Sequence, residues 1–323
     1  MWEVLDVLPG VARRVVEIAA FIALGVTLAD LLVSFGLVER VARVSKYLTR
    51  PANLPDEVGT AIVTTAASTT AGYGMLAEFR ESGRLSDRAT LVAVTINTFF
   101  GFVQHIFTFY APVLIPILGL EVGLLYVGSR AAIALAITLT GVLAGALLLS
   151  GRDRATGPVE ADGGAVGRDR PDDLAGKLRR AAGQGYDKTR DILPRLAVIY
   201  AVVAVVTANV DVTAVTAGAQ PLADLVGLPV AAAPVVAVFA IDTTNGALFL
   251  ASLPAGTFTP EQAVATMLVG GIVSFAVSTF KRSIPFQYGI WGAEFGSKVV
   301  VVNTLLKVGF IGLAVGLLLY GPV

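Results

Sequence analysis

The sequence predicts an all-α polytopic membrane protein with two inverted-topology repeats, each holding three transmembrane helices and one re-entrant helical hairpin. Three observations carry this expectation. Apolar residues make up 55% of the 323-residue chain and charged residues 15%, against about 25% charged in an average soluble domain. The apolar residues fall in long runs, such as 192–210 and 299–319. About 20 apolar residues span a bilayer as a helix, whereas a membrane barrel would alternate apolar and polar positions. Finally, a polar break, Ser68-Thr69-Thr70-Ala71-Gly72, returns as Asp242-Thr243-Thr244-Asn245-Gly246.

The second break belongs to an ordered series of matches. Leu54-Pro55 returns as Leu228-Pro229 and Asp87-Arg88-Ala89 as Glu261-Gln262-Ala263, both 174 positions on. Pro112 matches Pro285, and Glu121-Val122-Gly123 matches Glu294-Phe295-Gly296, 173 positions on. A series at nearly constant offset indicates duplication. Each half reads as a first span (15–37 or 192–210), an interrupted segment (55–79 or 229–253), a second span (89–110 or 263–280), a turn with Pro and Gly, and a third span (123–149 or 297–319). The domains are therefore a first repeat at 1–150, a cytoplasmic linker with an amphipathic surface helix at 151–190, and a second repeat at 191–323. The insertion at 38–50 places Arg40, Arg43, Lys46 and Arg50 at helical spacing, which suits a helix on an anionic leaflet or a solvated connector.

Charge sets the expected topology. Nineteen of the 24 Lys and Arg lie in 38–50, 80–88, 151–195 and at Lys281 and Arg282, while 111–119, 211–228, 252–259 and the tail carry none. Cytoplasmic connections collect Lys and Arg. If 55–79 dips into the membrane and returns, both of its basic flanks are inside, and by the same logic both flanks of 229–253 are outside. Three full spans per half then invert the second half, with both termini outside. Arg13 and Arg14 run against an outer N-terminus.

The breaks supply the candidate chemistry. Irregular backbone at membrane depth survives only inside protein or along a wet cavity, and a helix N-terminus aimed at the midplane carries partial positive charge. The expected substrate-binding residues are Ser68, Thr69, Thr70 and Gly72 facing Asp242, Thr243, Thr244, Asn245 and Gly246, with Asn97 and Asn303 nearby. Asp242 is the expected ion-coupling group, for Na⁺ or H⁺; its bland alternative is an N-cap. Glu294 and Lys298 have the spacing of a helical ion pair. Arg130 and Lys307, about two helical turns into their spans, are expected to snorkel toward the interface or else to face the core and neutralise a carboxylate or an anionic solute, and His105, which shares a polar face with Asn97 and Gln104, is expected to be structural.

The chain has no cysteine and one histidine, so no disulfide, zinc or iron–sulfur site is expected, and no other metal site or cofactor is called for. No phosphate-binding loop, metalloprotease motif or nucleophile elbow occurs, so no catalytic residue is named and an enzyme is not expected. Zero net charge gives no reason to expect nucleic acid. The N-terminus lacks the basic segment and cleavage site of a signal peptide.

The Thr-Thr-x-Gly breaks and the spans that follow them, at 54–118 and again at 229–292, resemble the Gate domain shared by concentrative nucleoside transporters and the membrane part of bacterial ferrous-iron transport B proteins. The whole chain resembles archaeal Gate-domain membrane proteins associated with nucleoside recognition. That resemblance implies gate-tip positions at Thr69, Thr70, Gly72, Thr243, Thr244 and Gly246. The GTPase domain and gate cysteines of the iron proteins are missing here, which argues against iron. The expectation is a multi-pass cell-membrane transporter, partnered by the lipid bilayer, a small polar nucleoside-like solute and Na⁺ or H⁺, with a homo-oligomer left open. The alternatives are a non-transporting gate or partner module of a larger complex, or an ion channel.

Overall fold

The computed structural model describes residues 46–149, 173–209, 227–278 and 283–321, with parts of 9–31. Helix is the only regular structure among them. Among the described residues, three helical stretches are long and apolar enough to cross a membrane: Asp87–Leu118, Leu120–Leu148 and Phe286–Tyr320. The 29 residues of Leu120–Leu148 extend about 43 Å at 1.5 Å per residue, more than the ~30 Å hydrocarbon core. This helix exposes Leu124, Leu135, Leu139, Leu143 and Leu147, the last at 82%. Such a continuous apolar face is a liability in water and costs nothing against acyl chains.

Helices α1 (Asp56–Ala67) and α2 (Thr69–Glu81) meet at one extended residue, Ser68, with φ −149° and ψ 110°. Helices α7 (Ala232–Ile241) and α8 (Thr243–Ser252) meet in the same way at Asp242, with φ −150° and ψ 124°. Between these pairs lie α3 (Asp87–Ile96), α4 (Thr98–His105), α5 (Leu120–Leu148) and α6 (Leu174–Asn209), and after them α9 (Pro260–Ser278) and α10 (Ile284–Tyr320). Each break is closed by its own side chain. Ser68 Oγ accepts the Ala71 N–H at 3.4 Å and Asp242 Oδ1 accepts the Asn245 N–H at 2.8 Å, so two exposed helix starts are capped.

A glycine one turn past each break lets the second helix fold back on the first. A Cβ on Gly72 would strike Thr65 Oγ1 and lie 2.7 Å from the Ala61 carbonyl oxygen; a Cβ on Gly246 would strike the backbone of Phe239. No other residue fits so close an approach. The Thr-Thr-x-Gly pattern thus reflects a cap, a first turn and a backbone-to-backbone contact.

The second span is longer than expected. Helices α3 and α4 join at Asn97, and the chain continues through a π-helical stretch, Ile106–Leu114, into Ile115–Leu118. The turn expected over 111–119 is therefore helical up to Leu118, and only Gly119 (φ 83°, ψ 166°) reverses the chain. Pro112, which has no N–H to give, sits in the widened turns. Gly292 (φ 73°, ψ 165°) makes the matching elbow inside α10. Gly123 and Gly296 pack against residues eight positions back, Ile115 and Tyr288. Both elbow glycines occupy the left-handed region that other residues resist.

Two further expectations change. Residues 172–191 do not form a separate surface helix: Leu174–Asn209 is one helix through Pro194, and Gly185 lies against Ala23 and Thr27 of the N-terminal segment. Most of 15–45, the linker at 151–172, the connection at 210–226, and Lys281 and Arg282 lie outside the described residues. The Glu294–Lys298 pair forms at 3.3 Å, and Lys298 also reaches Asp87 at 3.7 Å.

The buried side chains form two clusters. One joins the first hairpin (Ile62, Leu76, Phe79) to the second elbow (Trp291, Phe295, Val299). The other joins the second hairpin (Phe239, Ala247, Leu248) to the first elbow (Val113, Leu114, Tyr126). Each hairpin thus packs on the elbow of the other half.

Two substitutions test these contacts. Gly72→Ala should cost about 1–3 kcal/mol by overpacking, read as a lower unfolding temperature in detergent. Gly74→Ala, with nothing within 4 Å of the new methyl, should be neutral or slightly stabilising. Equal effects would remove the close approach as the reason for the glycine.

Candidate functional site

The site grows from the helix interruption at Asn97. Where α3 gives way to α4, the Ile96 carbonyl and the Phe99 N–H each meet a side chain of α5. Thr138, fully buried on α5, serves both: its hydroxyl donates to Ile96 O at 2.9 Å and accepts from Phe99 N at 3.2 Å. Gly141, one turn on, permits the approach, since a Cβ there would lie 3.0 Å from the Ile96 nitrogen.

The interruption turns the Asn97 side chain onto the first hairpin. Its Nδ2 donates to Thr65 Oγ1 at 2.7 Å, and that hydroxyl donates to the Ala61 carbonyl at 3.0 Å. The Thr65 proton is committed to the carbonyl, so the amide must present its NH₂ group to Thr65. That leaves Asn97 Oδ1 buried without a hydrogen-bond partner, on a residue 1% exposed. A neighbouring bond ties the tip to α4, where Thr69 Oγ1 donates to Gln104 Oε1 at 2.6 Å.

Asn97 borders a cavity of about 240 Å³ that also takes Thr69, Tyr73, His105, Tyr110, Arg130, Asn303 and Lys307. Arg130 comes from α5 and Lys307 from α10. Arg130 approaches the Tyr110 hydroxyl at 3.5 Å, and Lys307 Nζ sits 4.7 Å from the centroid of the Phe275 ring, within cation–π range. His105 Nδ1 bonds the Gly101 carbonyl at 2.8 Å. Among the described residues, no carboxylate lines the cavity. Among the described residues, no group of three or more His, Cys, Asp or Glu side chains is placed to hold a metal ion.

Three expected site residues, Thr69, Asn97 and Asn303, meet here. Ser68 caps α2 and Gly72 serves packing. Thr70 belongs to the first turn of α2, and its side chain lies outside the described atoms. The second tip does not face the first across this cavity: Asp242, Thr243, Thr244, Asn245 and Gly246 are absent from its walls. Asp242 is the N-cap of α8, Thr243 and Thr244 form its half-buried first turn, and Gly246 packs on Phe239. Asn245 Oδ1 is buried and unpartnered at its own location.

The physical reason is a difference between the halves. At the positions matching Thr65 and Asn97 stand Phe239 and Gly271. The Phe239 ring lies against both Gly246 and Gly270, and Arg130 Nη1 lies 3.9 Å from where a Gly271 Cβ would be. The second tip is thus sealed by a ring, and the room left by Gly271 goes to a guanidinium.

Arg130 and Lys307 line the cavity, the core-facing one of the two placements their sequence positions allow. Arg130 is ten residues past Leu120, or about 15 Å along the helix, half of a ~30 Å core. Lys307 lies similarly deep, between Gly292 and Tyr320. The duplication offset also pairs Arg130 with Asn303 and Lys307 with Ala134, and all four line one cavity.

No known protein-family profile matches the chain, and no solved structure matches it. Among curated proteins it is similar to two from the archaeon Methanocaldococcus jannaschii. "Uncharacterized protein MJ0871" is 24% identical over 300 residues, covering 91% of this chain and 90% of the relative. "Uncharacterized protein MJ0880" is 23% identical over 315 residues, covering 94% and 96%. The similarity therefore runs nearly end to end.

Proposed function

We propose that this chain is a multi-pass membrane transporter of a small polar solute, built from two inverted repeats of the Gate type that its sequence resembles. The observation that carries the proposal is the paired geometry. The breaks at Ser68 and Asp242 share backbone angles and cap chemistry, and the elbows at Gly119 and Gly292 share theirs. Matched sets of broken helices are the usual construction of secondary transporters, and here a polar cavity lies beside the first of them. Three crossings per half would set the second set upside down relative to the first.

The cavity beside the first tip supports a solute site, because Thr69, Asn97 and His105 are anchored there by structural bonds among helices that are otherwise apolar. In this reading the first hairpin moves with its solute. The second, sealed by Phe239, is the more rigid partner. Ion coupling rests on Asp242, the one carboxylate at a hairpin vertex.

The topology can be checked in the native cysteine-free background. A cysteine replacing Ser82 should react with an impermeant thiol reagent only from the cytoplasmic side, and one replacing Ser252 only from outside. Reaction of both from one side would remove the inversion.

Coupling has a separate test. Asn caps a helix about as well as Asp, whereas Ala costs about 1 kcal/mol. Asp242→Asn should therefore keep the unfolding temperature while abolishing any Na⁺ or H⁺ dependence of uptake into reconstituted vesicles. Unchanged ion dependence would reduce Asp242 to a cap, and single-channel currents in place of saturable uptake would replace the carrier by a channel.

A further inference from the structure

We propose that the cavity beside the first hairpin binds a small anion, through a carboxylate or phosphate group held between Arg130 and Lys307. The inference rests on reading this cavity as the solute site, and it assigns the solute's charge.

The argument starts from cost. Arg130 is always charged, and Lys307 stands in the same cavity. Two cations in a low-dielectric enclosure repel each other and lose hydration. Folded proteins normally offset this with a carboxylate, but among the described residues none pairs with either. The described ion pairs involve only Arg50, Arg80 and Lys298. Arg130 has one long contact to the Tyr110 hydroxyl and Lys307 has the Phe275 ring face. Neither contact removes a positive charge. An anion between them satisfies both, and a guanidinium fork accepts carboxylate or phosphate oxygens two at a time.

The independent pointer is Asn97. Asn97 lines the cavity, and its Oδ1 is a buried acceptor without a donor, in an orientation fixed by Thr65. Such an atom is costly unless a donor arrives. Two cations and one acceptor together describe a ligand with an anionic group and, beside it, a hydroxyl: a hydroxy acid or a singly protonated phosphate. The 240 Å³ volume lies below the roughly 300–1,000 Å³ of drug-sized sites and suits such a molecule. A neutral nucleoside would leave both charges uncompensated. The same chemistry occurs on free solutes and on anionic lipid headgroups.

The test is thermal unfolding of the full chain in nanodiscs of phosphatidylcholine, titrated with inorganic phosphate, citrate and uridine. Phosphate or citrate should raise the unfolding temperature saturably. Arg130→Gln and Lys307→Gln should each weaken the apparent affinity by about tenfold or more, roughly 1.4 kcal/mol, while Lys307→Arg keeps most of it. A rise seen only when phosphatidylglycerol replaces part of the lipid, and lost in both Gln variants, supports the same site with the headgroup as ligand. An equal response in wild type and Gln variants is a general salt effect and overturns the proposal. Stabilisation by uridine alone, lost in Asn97→Ala, overturns the anion but keeps the solute site. No response to any compound or lipid overturns both. If the Gln variants fail to fold, the wild-type preference for phosphate over uridine decides.

Discussion

Everything in this molecule depends on repairing broken backbone where water cannot. A helix interrupted inside a membrane exposes N–H and C=O groups whose desolvation costs several kcal/mol each unless they are paired. The chain interrupts its helices at Ser68, Asn97 and Asp242 and repairs each one differently. Ser68 and Asp242 turn their own side chains onto the helix that follows. Asn97 is repaired from outside by Thr138 on the neighbouring helix, which frees the asparagine side chain for other work. The site exists because that third repair is borrowed: a self-capping Asn97 would have no amide to offer Thr65, and no carbonyl left over for the cavity.

The two halves share a scaffold and differ in what fills it. The breaks, the close glycines and the elbows match in position and geometry. At the contact between hairpin and second span, the first half has Thr65 with Asn97, a polar pair. The second half has Phe239 against Gly246 and Gly270. A hydrogen-bonded contact can be exchanged for another of similar strength when a hairpin shifts, whereas a ring packed on two glycines must open a void. The first hairpin is therefore the one whose movement costs less.

Much of the fold was legible because it rests on residues with few substitutes. Gly72 and Gly246 stand where a side chain would clash, and Ser68 and Asp242 are ordinary caps, so the repeat marked them; the elbow glycines Gly119 and Gly292, with their left-handed backbone, were not among the matches. Elements that depend on continuity were misread. Pro112 suggests a turn, yet the helix widens and passes it, and Pro194 sits inside a single long helix. The Asp242–Asn245 tip invited a binding role by its polarity, but whether a polar tip meets a cavity depends on what packs against it. Phe239 does that packing from outside the motif. Arg130 and Lys307 are legible as cations deep in their spans, but whether each reaches for the interface or faces the core is decided by how α5 and α10 pack, which no local pattern carries.

Depth and symmetry together explain the site's composition. The crossing of α5 and α10 brings equivalent positions to one place, so positions 130 and 303 meet 134 and 307 around a single cavity. A duplicated chain with identical halves would put two copies of each group there. Four cations would be prohibitive, and four small residues would bind nothing. The observed set has one cation from each half at non-equivalent positions, Arg130 opposite Asn303 and Lys307 opposite Ala134. This spreads the charge along one helical turn and leaves a neutral partner beside each cation. If the two halves are repeats, as proposed, they supply a symmetric frame, and the departures from symmetry gather this polar chemistry at one place within it.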